Sequence, residues 1–140
     1  MRVHRLLLSL WLLAAPAGAE TLTIATWGGA YEAAQRAALF EPFEAETGIR
    51  IETVRHNGGV APLRGGAIAQ ADLVDMIRAD ARTACEDGLL MPFDHTILAA
   101  APDGTPPAAD FEPGSAGPCW IAHLIFATVI AFNDSAFPGE

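Results

Sequence analysis

Lysine is missing from this sequence altogether: its 8 basic residues are all arginines, set against 17 acids, and the formal net charge is −9. No basic cluster survives beyond the first five residues, which argues against nucleic acid as a partner. The acidic balance would favour a cationic ligand, but plain solubility is the simpler reading of it. Cysteine is scarce, and Cys85 and Cys119 are too few and too far apart for a zinc site or a C-x-x-C redox pair. His56, His95 and His123 lack metal-ligand spacing, so no metal is expected. A G-x-S-x-G elbow, a paired-carboxylate motif and a phosphate loop are also absent, so catalysis has little support and no cofactor is expected. With 51% hydrophobic and 18% charged residues, the 140-residue chain can still build one ordinary core.

The longest apolar run lies at the start. Arg2, His4 and Arg5 are followed by the stretch from Leu6 to Ala15, broken only by Ser9, and then by Ala17-Gly18-Ala19 and Glu20. Charge, apolar run and small residues are the three parts of a secretory signal peptide, with cleavage expected after Ala19. The run of about ten residues is too short to span a bilayer, which needs roughly 20. No membrane span is therefore expected in the mature chain, where 17 acids face 6 arginines for a net charge of −11. Export changes the reading of the cysteines. In an oxidising compartment an even count favours one structural bond, Cys85 to Cys119, with two separate buried thiols as the alternative. Such a bond would close the Pro- and Gly-rich segment from Ala99 to Pro118, which shows no periodic pattern.

Past the leader, Leu22 to Thr26 alternates and reads as a strand that Trp27-Gly28-Gly29 breaks. A helical stripe follows through Ala33, Ala37, Phe40 and Phe43, with a kink or break expected near Glu41 because of Pro42. Thr47-Gly48 ends the helix, and Ile49 to Val54 alternates again as a second strand. Ala61 to Gln70 reads as helical despite Gly65-Gly66, Ala71 to Met76 as a short buried parallel strand, and Arg78 to Asp87 as a helix stopped by Gly88. Leu89 to Phe93 is expected to tuck under the domain, and Trp120 to Asn133 to form one long strand or two joined ones. The alternating order predicts an α/β domain with a mainly parallel sheet. Ligands in such sheets sit beyond the carboxyl ends of the strands, here at Trp27-Gly28-Gly29 and at Asp75-Met76.

Several of these segments carry a resemblance. Thr26-Trp27-Gly28-Gly29-Ala30-Tyr31, followed by Phe40-Glu41-Pro42-Phe43-Glu44-Ala45-Glu46-Thr47-Gly48-Ile49, resembles the start of extracellular solute-binding proteins of the spermidine/putrescine type, which serve ATP-binding-cassette importers. Asp72-Leu73-Val74, Gly88-Leu89-Leu90 with Pro92 and Asp94, and Thr128 to Asn133 resemble later motifs of that family in the right order. Phe132 stands where the family usually has tyrosine, and Phe126 where it has tryptophan. The resemblance implies a periplasmic-binding-protein-like fold of type II: a signal peptide over 1–19, an incomplete first lobe over 20–133, and the start of the hinge or second lobe over 134–140. Members of the family are longer and two-lobed, so the chain reads as truncated near the hinge.

The function implied is capture of a small cationic or zwitterionic solute, such as a polyamine, in the periplasm. Cargo passes to a membrane permease without chemistry, and the complete protein is expected to be a monomer. The alternatives are a truncated remnant that binds nothing and a small secreted α/β enzyme. Trp27 and Tyr31 are the leading ligand contacts, because an indole face attracts an alkyl-ammonium group; the competing reading of Trp27 is an ordinary core aromatic. Gly28 and Gly29 would let backbone approach the ligand. Asp75 would pair with an amine or cap the next helix, and Phe126 would contact ligand or fill the core.

Overall fold

The protein is described by a computed structural model covering residues 20–66 and 68–136. The expected leader over 1–19, and residues 137–140 of the expected hinge, lie outside the described residues. The central element is β1 (Thr21–Thr26), with β2 (Arg50–Arg55) on one side and β3 (Leu73–Val74) on the other, all parallel. β1 pairs with β2 along its whole length, from Thr21 opposite Arg50 to Thr26 opposite Arg55. A central parallel strand is covered on both faces, and Ile24, Ala25 and Thr26 are accordingly all buried.

The crossover from β1 to β2 is one helical passage: α1 (Gly29–Gln35), a wider π turn (Arg36–Phe40), then α2 (Glu41–Thr47). The change of pitch at Glu41 falls where Pro42 demanded a break. Pro42 sits in the first turn of α2, where a missing N–H is tolerated, and the π turn before it takes up the misfit. Gly48, at φ 73°, ends α2 in the left-handed conformation and donates its N–H to the Glu44 carbonyl. The helical stripe is corrected by this geometry. Ala33 and Ala37 are exposed and Phe43 is 37% exposed, while Gln35 and Phe40 point inward. A π turn carries an extra residue, so a pattern drawn at 3.6 residues per turn slips out of phase across it. Phe40 packs with Ile24 and Ile51, and Leu22 lies against the three.

Two further expectations fail for local reasons. Ala61–Leu63 forms a single 3-10 turn instead of a helix to Gln70, since Gly65-Gly66 favours turns, Gly65 standing at φ 99°. The strand expected over Ala71 to Met76 shrinks to the two residues of β3, which pairs only with β1 among the described residues, and Leu73 is 54% exposed. α3 (Arg78–Glu86) forms as expected and buries Ala81 and Ala84. The tuck after it is partial: Leu89 and Leu90 are half-buried, but Met91 is 85% exposed.

Cys85 at the end of α3 is bonded to Cys119. The loop so closed contains α4 (Pro107–Asp110) and ends in a small antiparallel hairpin of β4 (Ala116–Gly117) and β5 (Trp120–Ile121). Phe93 N–H donates to the Pro118 carbonyl at 2.7 Å and His95 Nε2 donates to the Gly117 carbonyl at 2.9 Å, so the loop is tied beside the bond. The long strand expected from Trp120 to Asn133 is not formed. Only Trp120 and Ile121 enter a ladder, and Leu124, Ile125, Phe126, Val129, Ile130 and Phe132 are all exposed. Apolar β-formers extend only where a neighbouring strand takes their backbone bonds, and here the ladder stops at Ile121.

Candidate ligand site

The carboxyl ends of β1 and β3 lie side by side, and the chain leaving each supplies the site. β1 runs into Trp27 and then Gly28 and Gly29, at φ 77° and 63°. A Cβ on Gly28 would meet the Arg55 side chain at 3.1 Å, so the sharp entry into α1 requires glycine there. α1 carries Tyr31 and, one turn on, Gln35. The Tyr31 ring lies 5.0 Å from Trp27, and Phe126 stands edge-on to Trp27 at 6.4 Å. Phe126 is not core: it is 61% exposed. Asp75 does not cap α3, whose N-cap is Ile77 with no side-chain bond.

Instead Asp75 anchors a run of hydrogen bonds. The Thr26 hydroxyl donates to Gln35 Oε1 at 2.7 Å, and Gln35 Nε2 donates to Asp75 Oδ2 at 2.9 Å. His123 Nε2 lies 3.2 Å from Asp75 Oδ1 and 3.1 Å from the Tyr31 hydroxyl. Burial pushes the Asp75 carboxyl up, but bonds from His123, Gln35 and Thr26 outweigh it and hold it below the usual carboxylate range. The Tyr31 phenol is pushed up to about 12 by burial and by the Asp75 charge, so it stays protonated. Its bond to Asp75 raises His123, against the opposing pull of burial.

The sign follows from linkage. A histidine raised in the fold contributes stability that is fully present below its ordinary value of 6.5 and is lost as pH climbs through the raised value. NMR of the ring protons should show His123 titrating above 6.5, and Asp75→Asn should bring it back down. Titration of His123 at or below 6.5 in the unaltered protein contradicts the pairing.

Beside this network opens a depression of about 460 Å³, walled by Trp27, Phe126, Leu124 and Ile77, with Asn57-Gly58-Gly59 and Asp80 on its rim. His56 backs the rim. It is 6% exposed, its Nδ1 accepts the Gly58 N–H at 3.0 Å, and its Nε2 is buried with no partner among the described residues. Trp27, Tyr31, Asp75 and Phe126 are thus brought together, with Gly28 and Gly29 forming the turn. Gln35, His56, Asp80 and His123 joined them without being foreseen. Gln35 had one available signal: it is four residues from Tyr31 and so shares its helix face. His123 had none, because its place depends on a segment that forms no regular element.

The three-stranded parallel sheet with its helical crossover, and ligand candidates beyond the strand ends, is the fold of the periplasmic binding proteins, of which the chain carries part of one domain. It aligns with the PBP AgtB from A. tumefacien R10, solved in complex with agropinic acid, at a TM-score of 0.51 and 24% identity over 58% of this chain and 26% of that one. An ABC transporter structure from Rhodopseudomonas palustris aligns at a TM-score of 0.47 and 27% identity over 57% of this chain and 25% of that one. In sequence, the chain is 30% identical over 126 residues to a gamma-aminobutyric acid-binding protein of Pseudomonas aeruginosa. That match takes in 87% of this chain and 34% of the relative, so the chain spans about a third of the relative's length. No protein-family profile matches the chain. Two of these relatives are named for binding: one as a gamma-aminobutyric acid-binding protein, the other as a PBP solved with agropinic acid.

Proposed function

We propose that the chain is the ligand-facing part of a periplasmic substrate-binding component of an ABC importer, one that captures a small cationic or zwitterionic solute and hands it to a membrane permease without chemistry. The observation that carries this reading is Trp27, held by Tyr31 and Phe126 at the carboxyl end of the central strand and bordering an open depression. An aromatic face beside carboxylates attracts an amine, each ring contributing about 0.5–2 kcal/mol. Polyamines fit by the resemblance to the spermidine/putrescine type, and γ-aminobutyrate by likeness to the relative that binds it. Trp27, Gly28, Gly29, Tyr31 and Phe126 form the proposed wall. Removal of 1–19 would leave the mature protein in the periplasm, a compartment suited to the Cys85–Cys119 bond.

Tryptophan fluorescence tests the class of ligand. Putrescine, spermidine and γ-aminobutyrate should perturb the emission, whereas neutral sugars should leave it unchanged. A response to sugars alone, or to none of these, contradicts the reading.

A further inference from the structure

We propose that Asp80, and not Asp75, receives a ligand's ammonium group at this site, with Trp27 and Phe126 as the flanking aromatic walls; the inference rests on the solute-binding reading above. Asp75 looks like the natural anchor because it follows the third strand, but each of its oxygens already has a partner inside the fold. Oδ2 accepts from Gln35 and Oδ1 from His123, and its side chain is only 10% exposed. An amine arriving there would have to compete with His123 and Gln35 for oxygens that are largely covered.

Asp80 is placed differently. It lies in the first turn of α3, where a negative charge is favoured, and on the rim of the depression. Its Oδ2 accepts the Gly59 N–H at 3.0 Å, which fixes the direction of the carboxylate and leaves Oδ1 with no partner among the described residues. No arginine or histidine pairs with it among the described residues. The depression is therefore bordered by one oriented carboxylate with no paired cation among the described residues, and by the apolar side chains of Trp27, Phe126, Ile77 and Leu124.

The same rim is unsuited to an anion. Backbone N–H groups in a glycine turn often hold carboxylates, but those of Gly58 and Gly59 are consumed by His56 Nδ1 and Asp80 Oδ2. The ligand class is therefore a primary alkyl-ammonium group on a short methylene stem: a diamine, or the amine end of an ω-amino acid whose carboxylate is held elsewhere. A point charge on an apolar stem fits one free oxygen and an apolar wall, whereas a guanidinium would call for a two-oxygen fork.

The test is NMR on the whole chain with butylammonium and butyrate as probes at millimolar concentration, in the unaltered protein, Asp80→Asn and Asp75→Asn. Butylammonium should shift the Trp27 indole and Gly59 amide signals, and butyrate should not. Asp80→Asn should abolish those shifts while still accepting the Gly59 N–H, and Asp75→Asn should retain them. In the unaltered protein, the methylene protons next to the ammonium should show contacts to the Asp80 β-protons, a readout that needs no variant. Shifts that survive Asp80→Asn, or vanish only with Asp75→Asn, overturn the assignment and leave the solute-binding reading standing. A response to butyrate alone, or silence toward both probes, overturns the assignment and the amine-capture reading together.

Discussion

Phe40→Ala is expected to lower the unfolding free energy by about 3–5 kcal/mol. Phe40 is 5% exposed and is the largest member of the small cluster it makes with Ile24 and Ile51. It also ends the π turn that lets the helix pass Pro42, and a close-packed core relaxes only partly around a lost side chain. Domains of this size hold about 5–15 kcal/mol in all, so the loss takes a large share. Phe43→Ala is the matched control, because Phe43 is 37% exposed on the same helical passage and its loss should cost about 1 kcal/mol or less. Urea unfolding of the two variants measures the difference. Equal shifts would mean that the helix turns its alternative stripe inward.

The second large effect concerns the bond between Cys85 and Cys119. Their separation of 34 residues makes the closed loop worth roughly 3–4 kcal/mol through the denatured chain. The rest of the order in the loop is local: a 3-10 turn at His95–Ile97 capped by Asp94, one turn of α4, short turns, the small hairpin, and the bonds from Phe93 and His95 to Pro118 and Gly117. The double variant Cys85→Ser, Cys119→Ser should unfold at a clearly lower urea concentration. Thiol labelling of the denatured, unreduced protein should find nothing to label. Two labelled cysteines in oxidised material would contradict the bond, and an unchanged midpoint in the double variant would contradict its weight.

Much of the fold was legible because it is written in short-range patterns. The alternation of Leu22 to Thr26 and of Ile49 to Val54, the Gly48 stop and the helix before Gly88 each depend on a few neighbouring residues. The failures share a different cause. The stretch from Trp120 to Asn133 has the composition of a strand, but whether it becomes one depends on a neighbour that takes its ladder, which composition does not specify. Leu73 looked buried because its strand is apolar, yet it is 54% exposed, since burial depends on what covers that face of the sheet and not on the strand's own composition. Phe43 and Ala37 were misplaced by a single extra residue in a turn. At the candidate site, Trp27 and Asp75 were named because strand ends in a parallel sheet are where ligands gather, and Tyr31 came from the resemblance. That Asp75 is spoken for by Gln35 and His123 could not be foreseen, since His123 lies 48 residues away.

The central claim, that Trp27 is the wall on which a small amine-bearing solute is captured, is tested most directly by calorimetric titration of putrescine, spermidine and γ-aminobutyrate into the unaltered protein and into Trp27→Ala. The account predicts that whichever of these binds does so about 30-fold more weakly to Trp27→Ala, the roughly 2 kcal/mol of a buried aromatic contact, with the fold intact by circular dichroism. Binding of equal strength to both proteins would contradict it.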